Sequence, residues 1–79
     1  MDEALRAEIA QRAREMGLDL TSRHWEALEK VLAYYAEAEM LPTIRFLYRH
    51  FGREEAHRLF PQGMRTVAAL LDKEPPEGC

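Results

Sequence analysis

Thr21-Ser22-Arg23-His24-Trp25-Glu26-Ala27-Leu28-Glu29-Lys30-Val31-Leu32-Ala33-Tyr34-Tyr35 is the stretch whose reading decides the fold. Trp25, Leu28, Leu32 and Tyr35 recur at spacings of 3, 4 and 3, with Val31 alongside. That is the period of one face of an α-helix, and it sets a seam for helical partners. Thr21 suits an N-cap, because its side-chain oxygen can pair an amide left open at a helix start. The spacing therefore predicts a helix over residues 22–39.

Working outward, Leu5, Ile9, Ala13 and Met16 share a face of an upstream helix over residues 3–16, which Gly17 ends as its C′ residue. Downstream, Pro42 is placed to open a third helix, since its fixed φ and missing N–H suit a first turn. Ile44, Leu47, Tyr48 and Phe51 continue the apolar face until Gly52 stops it. A short helix over residues 53–60 follows, then Phe60-Pro61-Gln62-Gly63 as a turn. A last helix from Met64 to Lys73 buries Val67, Leu70 and Leu71. No alternating pattern is long enough for a strand, and there is no internal repeat. The expected fold is all-α: a bundle of four to five short helices in one domain over residues 1–73, with a helix-turn-helix-like C-terminal half. Residues 74–79 form a flexible C-terminal arm.

The 79 residues hold one cysteine, so no internal disulfide can staple the core. Three scattered histidines without a carboxylate or thiol at ligand spacing suggest no metal, and no residues suggest a cofactor. No apolar run is long enough to span a bilayer. An unpaired thiol without a secretory signal points to a reducing, cytoplasmic setting. The net charge of −3 is unevenly spread. Residues 1–44 carry nine acids against five bases, whereas residues 45–65 carry five arginines against Glu54 and Glu55. A basic middle in an acidic chain marks either a plain solvated face or a surface with a task.

The end of the chain is Glu74-Pro75-Pro76-Glu77-Gly78-Cys79. Two prolines deny it helix, and Gly78 acts as a hinge next to the thiol. Six extended residues reach at most roughly 20 Å. Nothing apolar in this arm would bury Cys79, so its thiol reads as a reactive group or as a chance terminal residue. Its own α-carboxylate and Glu77 both disfavour a thiolate, so activation requires docking, on this protein's arginines or in a partner's pocket. No phosphate loop, triad or paired acids are present, which leaves Cys79 as the one candidate nucleophile.

Several motifs line up in order: Leu20-Thr21 with His24-Trp25, Tyr34-Tyr35, Pro42 with Ile44-Arg45, Leu59-Phe60-Pro61 with Gly63, and the terminal Pro76-Glu77-Gly78-Cys79. Over residues 17–79 the chain resembles the DsrC/TusE family of sulfur carriers. The resemblance implies a mostly helical fold whose C-terminal arm bears a cysteine that accepts sulfur as a persulfide. It implies a sulfur-donor protein, such as a sulfurtransferase or DsrE-like complex, and a sulfur-acceptor enzyme serving tRNA 2-thiouridine synthesis or sulfur-compound metabolism. Cys79 then carries the sulfur, Arg45 and Arg49 support arm docking or partner contact, and Trp25 and Phe60 are structural.

Three departures narrow this expectation. The second cysteine of the DsrC branch falls here on Ala68 or Ala69, which leaves no intramolecular disulfide or trisulfide cycle and argues against the sulfite-reductase role; the chain resembles a one-cysteine, TusE-like carrier of sulfurtransferase type rather than a stand-alone enzyme. It stops on the cysteine, where relatives usually have one more residue. It begins directly with the first helix, where relatives often form a hairpin; a partner that reads the hairpin could not read this chain. Two rival readings need no chemistry. One is a helix-turn-helix nucleic-acid binder over residues 43–73, disfavoured by the acidic chain and the glutamates inside its basic segment. The other is a helical adaptor.

Overall fold

The computed structural model describes residues 1–76. Among them are five helices and no strand: α1 Glu3–Glu15, α2 Ser22–Ala38, α3 Ile44–Phe51, α4 Arg53–Leu59 and α5 Met64–Leu71. The all-α expectation holds, and local chemistry explains the boundaries.

Asp2 caps α1, its carboxylate accepting from the Leu5 amide at 2.7 Å. At the other end the Leu18 amide donates to the Ala13 carbonyl at 2.8 Å and Gly17 to Arg14 at 3.1 Å, with Gly17 at φ 70°. These paired bonds are a Schellman stop, with glycine in the left-handed position as expected. Gly52, at φ 85° and ψ 154°, closes α3 and opens α4 with a single residue. That backbone region is essentially restricted to glycine, so the two helices break there without a loop. Phe60 ends α4 in an extended conformation (φ −129°, ψ 92°), as a residue preceding proline is pushed to do.

Pro42 is placed differently from the expectation. Thr43 is the N-cap of α3 and Pro42 precedes it, outside the first turn. Pro42 is buried together with Leu41, so the pair plugs the core and delays the helix by two residues. The last helix also ends earlier, because Asp72 turns left-handed at φ 56°.

The core is built from Ile9, Leu28, Val31, Leu47, Phe60, Met64, Val67 and Leu70, all essentially inaccessible. The deep face of α2 is His24, Ala27, Leu28 and Val31. Trp25, Leu32 and Tyr35, read as its central stripe, are half-buried at the margin. Cations cover the marginal rings: Arg6 lies 4.2 Å from the Trp25 centroid and Lys73 4.2 Å from that of Tyr35. Met16 turns outward, 43% exposed, because it falls in the Schellman turn. In α5, by contrast, only Arg65 and Ala69 face solvent.

His24 joins the two halves of the molecule. Its Nδ1 accepts from the Thr21 amide at 3.0 Å, the reciprocal bond a glutamate makes in a capping box. The ring proton therefore sits on Nε2, which donates to the Leu59 carbonyl at 2.7 Å. The same ring stands edge-on to Phe60 at 5.3 Å. The start of α2 is thus pinned to the end of α4.

A second clamp crosses the surface. Arg23 of α2 is bidentate to Glu55 of α4, Nε to Oε2 at 2.9 Å and Nη2 to Oε1 at 2.7 Å, while its guanidinium covers the Phe51 ring. The hydrogen bond from Arg23, with its charge and that of Arg58, holds the Glu55 carboxyl below its ordinary value. A carboxyl depressed in the folded state stabilises above its unfolded pKa, and that contribution disappears as pH falls through the folded value. Urea unfolding of Glu55→Gln against the parent is expected to show lower stability at neutral pH and a gap that closes below about pH 4.3. A gap that stays constant into strong acid would refute the clamp.

Candidate functional site

The segment that follows α5, expected to lead into the arm, leaves from the most enclosed helix, and three contacts define its point of departure. The Lys73 amide donates to the Ala68 carbonyl at 3.0 Å and Asp72 to Ala69 at 3.4 Å, a Schellman stop with aspartate where glycine is usual. Arg12 of α1 donates from Nη1 to the Leu70 carbonyl at 2.9 Å and also pairs with Glu8. A cation on a terminal carbonyl complements the negative end of the helix dipole. Finally, the Lys73 ammonium sits on Tyr35 of α2. The last turn is thereby tied to α1 and α2 at once.

Beside this anchor runs an open groove of about 430 Å³, lined on one side by Tyr35, Glu39, Met40 and Leu41 and on the other by Asp72–Pro76. Two helix C-termini meet here, each ended by a left-handed acidic residue: Glu39 at φ 60° and Asp72 at φ 56°. With Glu74, three carboxylates and two negative dipole ends surround one lysine. Such a field opposes a thiolate or persulfide anion at the base of the arm. Met40, 61% exposed, is the most open large apolar side chain.

Cys79, the expected nucleophile, and Gly78, the expected hinge, lie outside the described residues. Arg45 and Arg49 lie one turn apart on the exposed side of α3, and neither lines the groove. The structure therefore brings the two arginines together with each other but not with the arm's base. Ala68 is buried and Ala69 exposed beside Arg65. The histidines divide by role: His24 is the buried clamp, while His57 meets the Tyr48 hydroxyl at 2.6 Å and His50 packs edge-on to Phe46. Among the described residues no three His, Cys, Asp or Glu side chains cluster as a metal site would require. No described helix is long and apolar enough to cross a membrane.

The residues that sequence reasoning missed are Arg12, Asp72 and Lys73. Arg12 acts 58 positions away from its acceptor, a separation no local pattern reports. Tyr35 was visible as an aromatic position, but not as the seat of a cation.

A family model described as "DsrC like protein" matches residues 1–79. A sulfurtransferase TusE of Salmonella choleraesuis (strain SC-B67) is 40% identical over 78 aligned positions, covering 87% of this chain and 69% of that protein. Its namesake from Yersinia pseudotuberculosis serotype I (strain IP32953) is 37% identical over 68 positions, covering 75% and 63%. The Escherichia coli (strain K12) protein of the same name is 32% identical over 68 positions, covering 75% and 62%. The chain thus spans about two thirds of the length of these relatives. No solved structure is similar enough to count as a match.

Asp72→Gly tests the anchor. Glycine relieves the left-handed penalty at the cost of the distant 3.9 Å pairing with Arg12, in which Asp72 is 83% exposed. The expected result is a gain of about 0.5–1 kcal/mol, read as a melting temperature a few degrees higher. A lower melting temperature would mean that the Arg12 contact outweighs the backbone cost.

Proposed function

The chain belongs to the DsrC-like protein family, and from that premise we propose that it works in a sulfur relay as a carrier whose sulfur rides on Cys79. The observation that supports this reading is the anchored end of α5, from which the sequence runs on to Cys79. Arg12 and Lys73 hold the last turn of α5, and the six residues 74–79 leading to Cys79 can extend at most roughly 20 Å beyond Lys73. The relatives' name, sulfurtransferase TusE, supports the same class of chemistry.

In the loading step, the Cys79 thiolate attacks the terminal sulfur of a donor persulfide, R–S–SH. A new sulfur–sulfur bond forms on Cys79, the donor's sulfur–sulfur bond breaks, and the donor thiolate leaves with the bonding pair. Delivery repeats the step in reverse order, an acceptor thiolate taking the outer sulfur. No oxidant or reductant is consumed, since the transferred sulfur keeps its oxidation state throughout.

The chain itself holds the thiol quiet. Glu39, Asp72 and Glu74 crowd the arm's base, and Glu77 lies two residues before Cys79 in the sequence. Activation then belongs to the site that receives the arm, which limits loss of sulfur in transit. Gly78 supplies the freedom for the thiol to enter that site, and Arg45 and Arg49 contact the partner rather than the groove. The donor is a persulfide-bearing protein and the acceptor a thiol-bearing enzyme. A helix-turn-helix reading that places α5 in a DNA groove has little support, because α5 has almost no free face.

Intact-mass analysis after exposure to a cysteine desulfurase with cysteine tests the reading. The parent is expected to gain one sulfur atom, removable by reductant, and Cys79→Ser none. Equal gain on both proteins, or no gain from any persulfide donor, would sink it.

A further inference from the structure

Away from the arm, α3 carries a strip of side chains that the relay chemistry leaves unexplained. Arg45 and Arg49 stand at its centre, both exposed. On one flank Phe46 takes Tyr34 of α2 edge-on at 5.3 Å and His50 at 4.7 Å. On the other, Tyr48 bonds His57, and the Arg53 guanidinium lies 5.2 Å from its ring centroid. Among the described residues, Arg45, Arg49 and Arg53 make no ion pair. Three guanidiniums thus stand without a salt-bridge partner among the described residues, Arg53 with Glu54 next to it in sequence, on a chain whose net charge is −3.

We propose that this α3 strip is the docking face for an acidic surface on the protein that exchanges sulfur with Cys79, an inference that rests on the carrier reading above. Its composition fits a protein partner. Arginine, tyrosine and phenylalanine are the residues enriched at protein interfaces, where a guanidinium fork pairs carboxylates in two bonds at once. Tyr34, 37% exposed, supplies a rigid apolar contact beside the charges. A nucleic acid fits less well. The rings pack edge to face, and Arg53 covers Tyr48, so the strip offers few open faces for stacked bases. Phosphate-driven binding is further opposed by the acidic remainder of the chain. Docking by α3 lets the partner be held by one face while the arm, which starts elsewhere, enters its active site.

The test takes the isotope-labelled full chain and titrates it with a short peptide alternating glutamate with leucine or tyrosine, and separately with an oligouridylate of equal charge. The peptide is expected to shift amide signals of α3 and of α2 near Tyr34. Reversing Arg45→Glu and Arg49→Glu together should weaken it by at least about tenfold, and Tyr34→Ala by about threefold or more. Arg14→Glu, on the exposed side of α1, should leave affinity unchanged. Absence of shifts in α3, indifference to the charge reversal, or tighter binding of the oligouridylate each overturns the proposal, the last in favour of RNA. Loading of Cys79 from inorganic polysulfide is followed by mass in the same proteins. The charge-reversed variant should load as the parent does; a parent that never loads defeats the carrier reading and leaves the docking result to stand or fall by itself.

Discussion

The hydrogen bond from His24 Nε2 to the Leu59 carbonyl is the joint on which the rest of the structure depends. Leu59 is the last residue of α4, where carbonyls have no partner inside the helix. A buried carbonyl left open there costs about 1–3 kcal/mol, and His24 removes that cost while its other nitrogen closes the start of α2. With α4 stopped at this point, Phe60 is driven inward against the imidazole and Pro61 turns the chain. Gln62 then donates its amide to the Thr66 hydroxyl at 3.0 Å, and α5 starts in a set direction through the core. The place where the arm emerges is therefore decided two helices earlier.

Charge is divided along the same lines. The end of α5 and the end of α2 converge on an acidic groove, while Arg45 and Arg49 stand exposed on α3. On the proposed reading, the acidic groove at the end of α5 disfavours an anion near the root of the arm, and cations that could attract a partner lie on a separate face. Reactivity and recognition, on the same proposed reading, belong to different elements, so a carrier finds its partner before its thiol becomes competent.

Much of the fold was legible because this chain punctuates its helices with strong local signals. Gly17, Gly52 and Phe60-Pro61 act through their own backbone and Thr21 as a cap, and each ends or starts a helix where expected. The misreadings fell where tertiary packing decides. Pro42 could serve as a first-turn residue, but burial with Leu41 moved it out of α3. Trp25 and Tyr35 have the period of a core stripe, yet large rings with polar edges settled at the margin beneath Arg6 and Lys73. The candidate site divides in the same way. Its thiol rests on the sequence motif alone, since Cys79 lies outside the described residues; its anchor could not be read there, because Arg12 and Leu70 meet only once α1 lies against α5. His24 looked like one of three scattered histidines until the fold supplied its acceptor.

A carrier must release what it accepts, and onward transfer tests this account most directly. Cys79 would be loaded with radiolabelled sulfur, the protein separated from its donor and then mixed with extract from a cell lacking it. The account expects the label to leave Cys79 for a protein thiol or a thiolated product, in an amount matching the carrier consumed and with Cys79→Ser inert. Label that stays on Cys79, or leaves only as free sulfide at the rate set by added small thiols, would contradict it.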